Sequence, residues 1–347
     1  MYGIPVAAVV IAAAAILYTL PRAGDKAAPP DASDSATAGA AQTAGGLNGT
    51  ATEEFPDGTF TGNFEDGVRS GRGVMIYSNG NVYDGNWEND QRSGAGSLTW
   101  PGGDVYSGNW VSDARNGYGS YTWVNGAEYT GNWEDNVRSG YGEMVYANGN
   151  RYEGSWSGDR KSGTGTFVWE SGDTYTGDWE NDARSGTGTL TWAGGDIYTG
   201  EWAANRRSGN GVLLLVNGNT YEGNFENDAK SGSGAFSWAD GSLYTGNWAD
   251  DARNGRGTMS YTNGSVYDGT WVDNTATGIG SITYSNGNRY EGGFENAEFS
   301  GEGTFTWSNG DVYTGNWEHN NRSGYGVFTP VSGDILDGMW EYGNFIG

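Results

Sequence analysis

The sequence predicts an all-β protein, an elongated antiparallel meander of consecutive 23-residue β-hairpins. Three observations carry that expectation. One phrase returns at a constant spacing of 23 residues, apolar and polar residues alternate within it, and glycine, which supplies 63 of the 347 residues, keeps fixed places in it. A fixed period between about 20 and 50 residues marks a repeat architecture. Alternation marks a strand with one polar face, and glycine weakens helices while Tyr, Trp and Phe favour a pleated surface.

Ahead of the repeats, residues 4–20, "IPVAAVVIAAAAILYTL", form an uncharged apolar run of 17 residues. That is the lower limit for crossing a hydrocarbon core of about 30 Å. A cleaved signal would show a basic leader, which "MYG" lacks. Residues 1–22 are therefore expected to form an N-terminal hydrophobic helix acting as a single-pass membrane anchor. A cleaved signal sequence, leaving a secreted or periplasmic protein, is the alternative. Arg22 and Lys26 follow the run but Asp25 dilutes them, so the side of the membrane stays open. Residues 23–57 are small and polar and cannot bury enough surface to fold, which reads as a flexible, disordered linker.

The array is expected over residues 58–347. The first aromatic position of the unit falls at Phe60 and then at Tyr83, Tyr106, Tyr129, Tyr152, Tyr175, Tyr198, Tyr221, Tyr244, Tyr267, Tyr290 and Tyr313. Twelve full units run from 60 to 335, and a truncated thirteenth begins at Leu336 and keeps Gly338 and Trp340. In the second unit, "YDGNWENDQRSGAGSLTW" (83–100), Tyr83, Gly85 and Trp87 share one parity and Asp84 and Asn86 the other. In the return run Gly94, Gly96, Leu98 and Trp100 share a face, so the two runs are expected to pair around "ENDQRS". The second connection carries a glycine in every unit, as at Gly80 and Gly103, often after Asn; a type I′ turn is expected there. Glycines inside strands mark close approach to the backbone, here by Tyr83 and Trp87 lying over Gly85, Gly94 and Gly96. Two strands per unit add about 10 Å, so the array exceeds roughly 100 Å before twist.

Composition removes most other functions. With 18 Lys and Arg against 43 Asp and Glu the net charge is −25, which repels nucleic acid and acidic headgroups. There is no Cys, and a single histidine, His319, leaves no zinc cluster and no acid/base dyad. "GAG" runs on into a strand and not into a helix N-terminus, so it is a poor phosphate loop. Asp104, Asp173, Asp196 and Asp311 follow turn glycines and are read as caps of their own turns rather than as calcium ligands. No enzyme, no cofactor and no metal are expected. The run "VLLLV" puts Val212, Leu214 and Val216 on the otherwise polar face, as a contact patch or a tolerated edge.

The phrase Y-x-G-x-[WF]-x-x-D-x-R-x-G-x-G, recurring over residues 60–347, resembles the MORN (membrane occupation and recognition nexus) repeat. That resemblance implies an elongated sheet of hairpins, and associations with membrane tethering, phospholipid binding, dimerisation and docking of partners in an aromatic groove. The residues themselves suggest that an aromatic face on a single sheet leaves more apolar surface bare than a monomer normally does. The candidate binding face is Tyr83, Trp87, Trp100, Tyr106, Trp110, Trp123, Tyr129, Trp133, Tyr175, Trp179 and Trp192. The basic position of the unit holds Arg69, Arg92, Arg115, Arg138, Lys161 and their successors, interrupted by Ala276 and Phe299. Exposed turn ion pairs, such as Asp90 with Arg92, are its simplest reading. Arg160, Lys161, Arg206 and Arg207 form the locally positive turns where an anionic headgroup would be attracted. Three functions stay open: a scaffold or spacer binding an unidentified protein, peptide or second copy; a phospholipid binder; and a cell-surface glycan or choline binder. A nucleic-acid partner is not expected.

Overall fold

In a computed structural model of the chain, the structure describes residues 46–347. The expected anchor (1–22) and residues 23–45 of the expected linker lie outside the described residues. Among the described residues, no helix is long and apolar enough to cross a membrane.

The described chain is one antiparallel sheet of 27 strands in which every strand pairs with its neighbours in sequence. It begins with β1 (Gly49–Phe55), β2 (Gly58–Glu65) and β3 (Val68–Tyr77), continues with two strands per unit, and ends with β26 (Leu336–Glu341) and the short β27 (Asn344–Phe345). The meander is as expected. One boundary is corrected: residues 49–55, read as the end of the linker, pair with β2 from Gly49↔Phe64 to Phe55↔Gly58. Phe55 then stacks on Phe64 at 6.4 Å, which covers the first repeat.

The second unit is β4 (Val82–Glu88) and β5 (Gln91–Thr99). The type I′ turn expected at the glycine connection falls at the other one. Asn89 and Asp90 both have positive φ, 51° and 66°, so the "ENDQRS" connection is the type I′ turn. Asn and Asp tolerate that conformation because their short polar side chains bond locally. At the glycine connection only Gly80 has positive φ, and its N–H donates to the Tyr77 carbonyl at 2.9 Å. That is a type I turn closed by a glycine bulge, the three-residue hairpin loop; Asn79 Oδ1 accepts from the Asn81 N–H and fixes it.

Register places three ladders on one face. Tyr83 pairs with Leu98, Gly85 with Gly96, and, after a bulge, Trp87 with Arg92. On its other side β5 meets β6 (Val105–Val111), with Leu98↔Tyr106, Gly96↔Gly108 and Gly94↔Trp110. The Tyr83 ring leans across the glycine ladder, and a Cβ on Gly85 or Gly96 would overlap its phenol. The same arrangement recurs in each unit, so the glycines create the space that the rings fill.

Candidate functional site

The expected aromatic face is the core of the protein. Tyr83, Tyr106, Tyr129 and Tyr175 are fully buried, and Trp87, Trp100, Trp110, Trp123, Trp133 and Trp179 are at most 5% exposed. Trp192 alone among the candidates is half-buried. The expectation of bare apolar surface is therefore corrected, and the reason is ring geometry. Each Tyr meets two Trp or Phe rings edge-on: Tyr83 lies 5.3 Å from Trp87 and 5.4 Å from Trp110 of the next unit, at 88° and 85°. This zigzag runs unbroken from Phe60 to Trp340. Edge-to-face pairs satisfy the ring quadrupoles, so one layer of rings closes on itself. Within this zigzag the polar ends are satisfied too, since Tyr83 Oη donates to the Asn86 carbonyl and Trp87 Nε1 to the Gly73 carbonyl, whereas Nε1 of Trp100 and of Trp123, at the other Trp position of the unit, is buried without a hydrogen-bond partner. Burial pushes the phenols up, Tyr77, Tyr198 and Tyr244 to about 12, and Tyr83 is raised by the same cause.

The basic ladder roofs these rings. Arg92 is 2% exposed and its guanidinium sits 4.4 Å from the Trp110 ring centroid. It reaches forward one unit: its backbone N–H and Nε donate to Asp113 Oδ1 at 2.9 and 3.0 Å, and Nη2 to the Asp113 carbonyl. The expected pair of Asp90 with Arg92 is replaced by Asp90 with Arg69, 3.0 Å apart. Where Asn stands in place of Asp, as with Asn136 opposite Arg115, the backbone clasp persists. Where Phe299 stands in place of Arg, its ring stacks on Tyr290 at 3.7 Å and its N–H still donates to Asn320. The position seals the core and clasps the next turn whether Arg, Lys or Phe stands there; at Ala276, opposite Ala297, the backbone bond from the Ala297 N–H to the Ala276 carbonyl links the two units.

Of the four headgroup candidates, Lys161 and Arg207 are buried and clasped to Asp182 and Asp228. Arg160 and Arg206 are exposed and reach Asn181 and Asn227. The structure does not bring the four together as one basic patch. The turn aspartates cap the following unit, not their own turn: Asp104, Asp173, Asp196 and Asp311 accept from the N–H groups of Val124, Ala193, Val216 and Val331, each at 2.8 Å. Among the described residues no cluster of three His, Asp or Glu side chains could hold a metal ion. His319 is a surface residue bonded to Glu298, which raises its pKa.

The opposite face is open. Hydroxyls pair across strands along it, Ser97 with Ser107, Thr166 with Thr176, Thr189 with Thr199 and Thr304 with Thr314, at 2.9 to 3.1 Å. In the middle of the array the ladder changes to Thr199, Val212, Glu222, Ala235 and Thr245, directly opposite one another on successive strands. Short side chains over glycines leave a depression of about 730 Å3, which Asn210 and Ser233 also line. Val212 is half-buried there, while Leu214 and Val216 beside it are 45% and 73% exposed. Asn210, Glu222, Ser233, Ala235 and Thr245 were missed from the sequence. A signal was present: the residue between the strand glycines is Arg72, Ala95, Tyr118, Tyr141, Thr164, Thr187, Asn210 and Ser233 in successive units. A position free to vary among otherwise matching repeats is one that packing does not dictate.

A family profile described as "MORN repeat" matches twelve consecutive stretches, from residues 60–82 and 83–105 through to 313–335. No curated protein matches the chain. Among solved structures, the TCP10 domain of Danio rerio CPAP in complex with a peptide of Danio rerio STIL is similar at 9% identity and a TM-score of 0.35, over 58% of this chain and 90% of that one. The SAS-4 (dCPAP) TCP domain of Drosophila melanogaster, with a proline-rich motif of Ana2 (dSTIL), is 13% identical at a TM-score of 0.27, over the same shares. Virginiamycin B lyase from Staphylococcus aureus is 9% identical at 0.14, over 76% and 81%. At these scores the likenesses carry no argument for this chain.

Proposed function

The chain belongs to the MORN-repeat family, and from that premise we propose that it is a non-catalytic scaffold or spacer which binds a protein partner on the polar face of its sheet. One observation carries this reading: the aromatic face is sealed by its own rings and guanidiniums, whereas the opposite face is continuous, open and hollowed around Val212 and Ala235. Hollowed surfaces with a short apolar floor and a few polar groups are where ligands are held. The exposed Leu214 and Val216 extend that floor toward the hairpin end. A repeat array contacts a partner along its length, so many weak units add to one address. Attachment to a membrane through residues 4–20 completes the proposal; it rests on the composition of that run.

The test is affinity capture with the full chain and with Val212→Arg and Ala235→Arg chains, read by mass spectrometry. A protein retained by the parent chain and lost with both variants supports the reading. Identical captured sets for all three contradict it. Light scattering on the same samples identifies a second copy as the partner if the mass doubles only in the parent.

A further inference from the structure

We propose that Tyr118 and Tyr141 form a stacking platform for a neutral β-1,4-linked glycan, at a place distinct from the Val212 depression. These tyrosines occupy the same place in successive units, on β7 (Ala114–Thr122) and β9 (Val137–Val145), between the two strand glycines. Their rings are 60% and 57% exposed, on the polar face, in a protein that buries most other tyrosines of the repeats; Tyr325, at the same place in its own unit, is 56% exposed but has no such ring in the unit before it. Two such rings on neighbouring hairpins make a contiguous apolar patch, which carries more meaning than a single scattered one.

The rings stand two inter-strand steps apart, about 10 Å, the length of a β-1,4-linked disaccharide unit. Such a glycan is a flat ribbon with C–H groups on its faces and hydroxyls on its rims, so it needs spaced rings and, between them, donors and acceptors. Strand β7 and the intervening strand β8 (Glu128–Glu134) supply these. Asn132 lies opposite Tyr118 and is exposed; its Nδ2 donates to the Tyr141 carbonyl at 3.3 Å, which turns its Oδ1 to the role of acceptor. Ser120 and Thr130 are hydrogen-bonded to one another at 3.1 Å. Tyr141 is held in place, because its Oη donates to Glu153 at 2.8 Å. Preorganised rings lose little entropy on binding.

Charge selects among occupants. The net charge of −25 repels acidic glycans and other polyanions. Glu128, Glu143 and Glu153 stand nearby, with Arg151 the one cation bonded to the last two, so a cationic peptide is the competing occupant that the titration has to exclude. To a neutral polyol the site offers ring surface, the Asn132 amide oxygen, and the lone pairs of the Ser120 and Thr130 hydroxyls, whose protons are given to Glu128 and Ser120.

The experiment is calorimetric titration of the full chain with cellohexaose, with a hexa-arginine peptide as the competing probe. Tyr118→Ala and Tyr141→Ala are compatible with the fold, since Ala95 holds the same position in another unit. Each is expected to weaken cellohexaose binding about tenfold or more, as for loss of an aromatic anchor, with an unchanged melting temperature. Tyr141→Phe, which keeps the ring, is expected to bind within about threefold of the parent on the same reasoning. The proposal is overturned by no binding of cellohexaose, by binding that both Ala variants retain, or by hexa-arginine binding that these variants abolish.

Discussion

The guanidinium of Arg92 lies 4.4 Å from the ring of Trp110 and bonds Asp113, both in the unit that follows. Each basic residue of the ladder therefore joins two repeats rather than closing one turn. This one-unit offset makes the sheet a chain of nearest-neighbour interfaces, as in other repeat proteins.

Replacing Arg92 by Ala is expected to destabilise the array by about 2–4 kcal/mol, because it opens a cavity over Trp110 and frees the Asp113 turn. Arg92→Phe is expected to recover part of that loss, as Phe299 fills the equivalent place. Asp113→Asn is expected to cost under about 1 kcal/mol, since Asn136, Asn205 and Asn274 make the same backbone clasp. Urea denaturation of the three variants ranks them.

Gly96→Ala would force the Tyr83 phenol out of its place over the glycine ladder. A loss of about 2–3 kcal/mol is expected, the upper range for overpacking. Gly102→Ala meets nothing within 4 Å and is expected to fall within about 0.5 kcal/mol of the parent. Thermal melts of the pair distinguish a packing glycine from a turn glycine.

The meander and its period were legible because both depend on local alternation and fixed spacing. Which unit pairs with which was not. In a sequence of near-identical repeats, Asp90 stands as plausibly beside Arg92 as beside Arg69, and only the packing of successive hairpins, which sets the Asp90 N–H on the Arg69 carbonyl, decides for the latter. The burial of the rings was hidden for a similar reason: alternation tells that Tyr83 and Trp87 share a face, but not that they meet edge-on and close it. Strand β1 was masked by its composition, since "GTATEEF" pairs through its backbone while offering only Phe55 to the core.

Stability is expected to be level up to about pH 10, the ordinary tyrosine value, and to fall steeply above it. A phenol whose pKa is higher folded than unfolded stabilises the fold below its unfolded value and loses that contribution as pH rises through the folded one. Tyr77, Tyr198 and Tyr244 are raised to about 12 by burial, so the window runs from about 10 to about 12. Arg184, lowered to about 10 by desolvation, acts in the opposite sense, but it is one group against many phenols. Phenolate absorbance should rise together with loss of sheet signal in one cooperative step; gradual ionisation in a folded sheet would contradict this.

Asp104→Ala removes the bonds to the Val124 N–H and the Tyr121 hydroxyl. A loss of about 1–3 kcal/mol is expected from the two bonds. Calcium is expected to leave the melting temperature of the parent chain unchanged, because these carboxylates are occupied in clasping the next unit.

Collisional quenching of tryptophan fluorescence by acrylamide, on the full chain, tests the central claim most directly. All 16 Trp belong to the repeats, and the account predicts a large fraction that resists quenching, with a minor accessible population from the half-buried Trp169, Trp192, Trp238 and Trp307. Uniform quenching close to that of free tryptophan would show the rings to be solvent-facing, and would return the contact surface to the aromatic face.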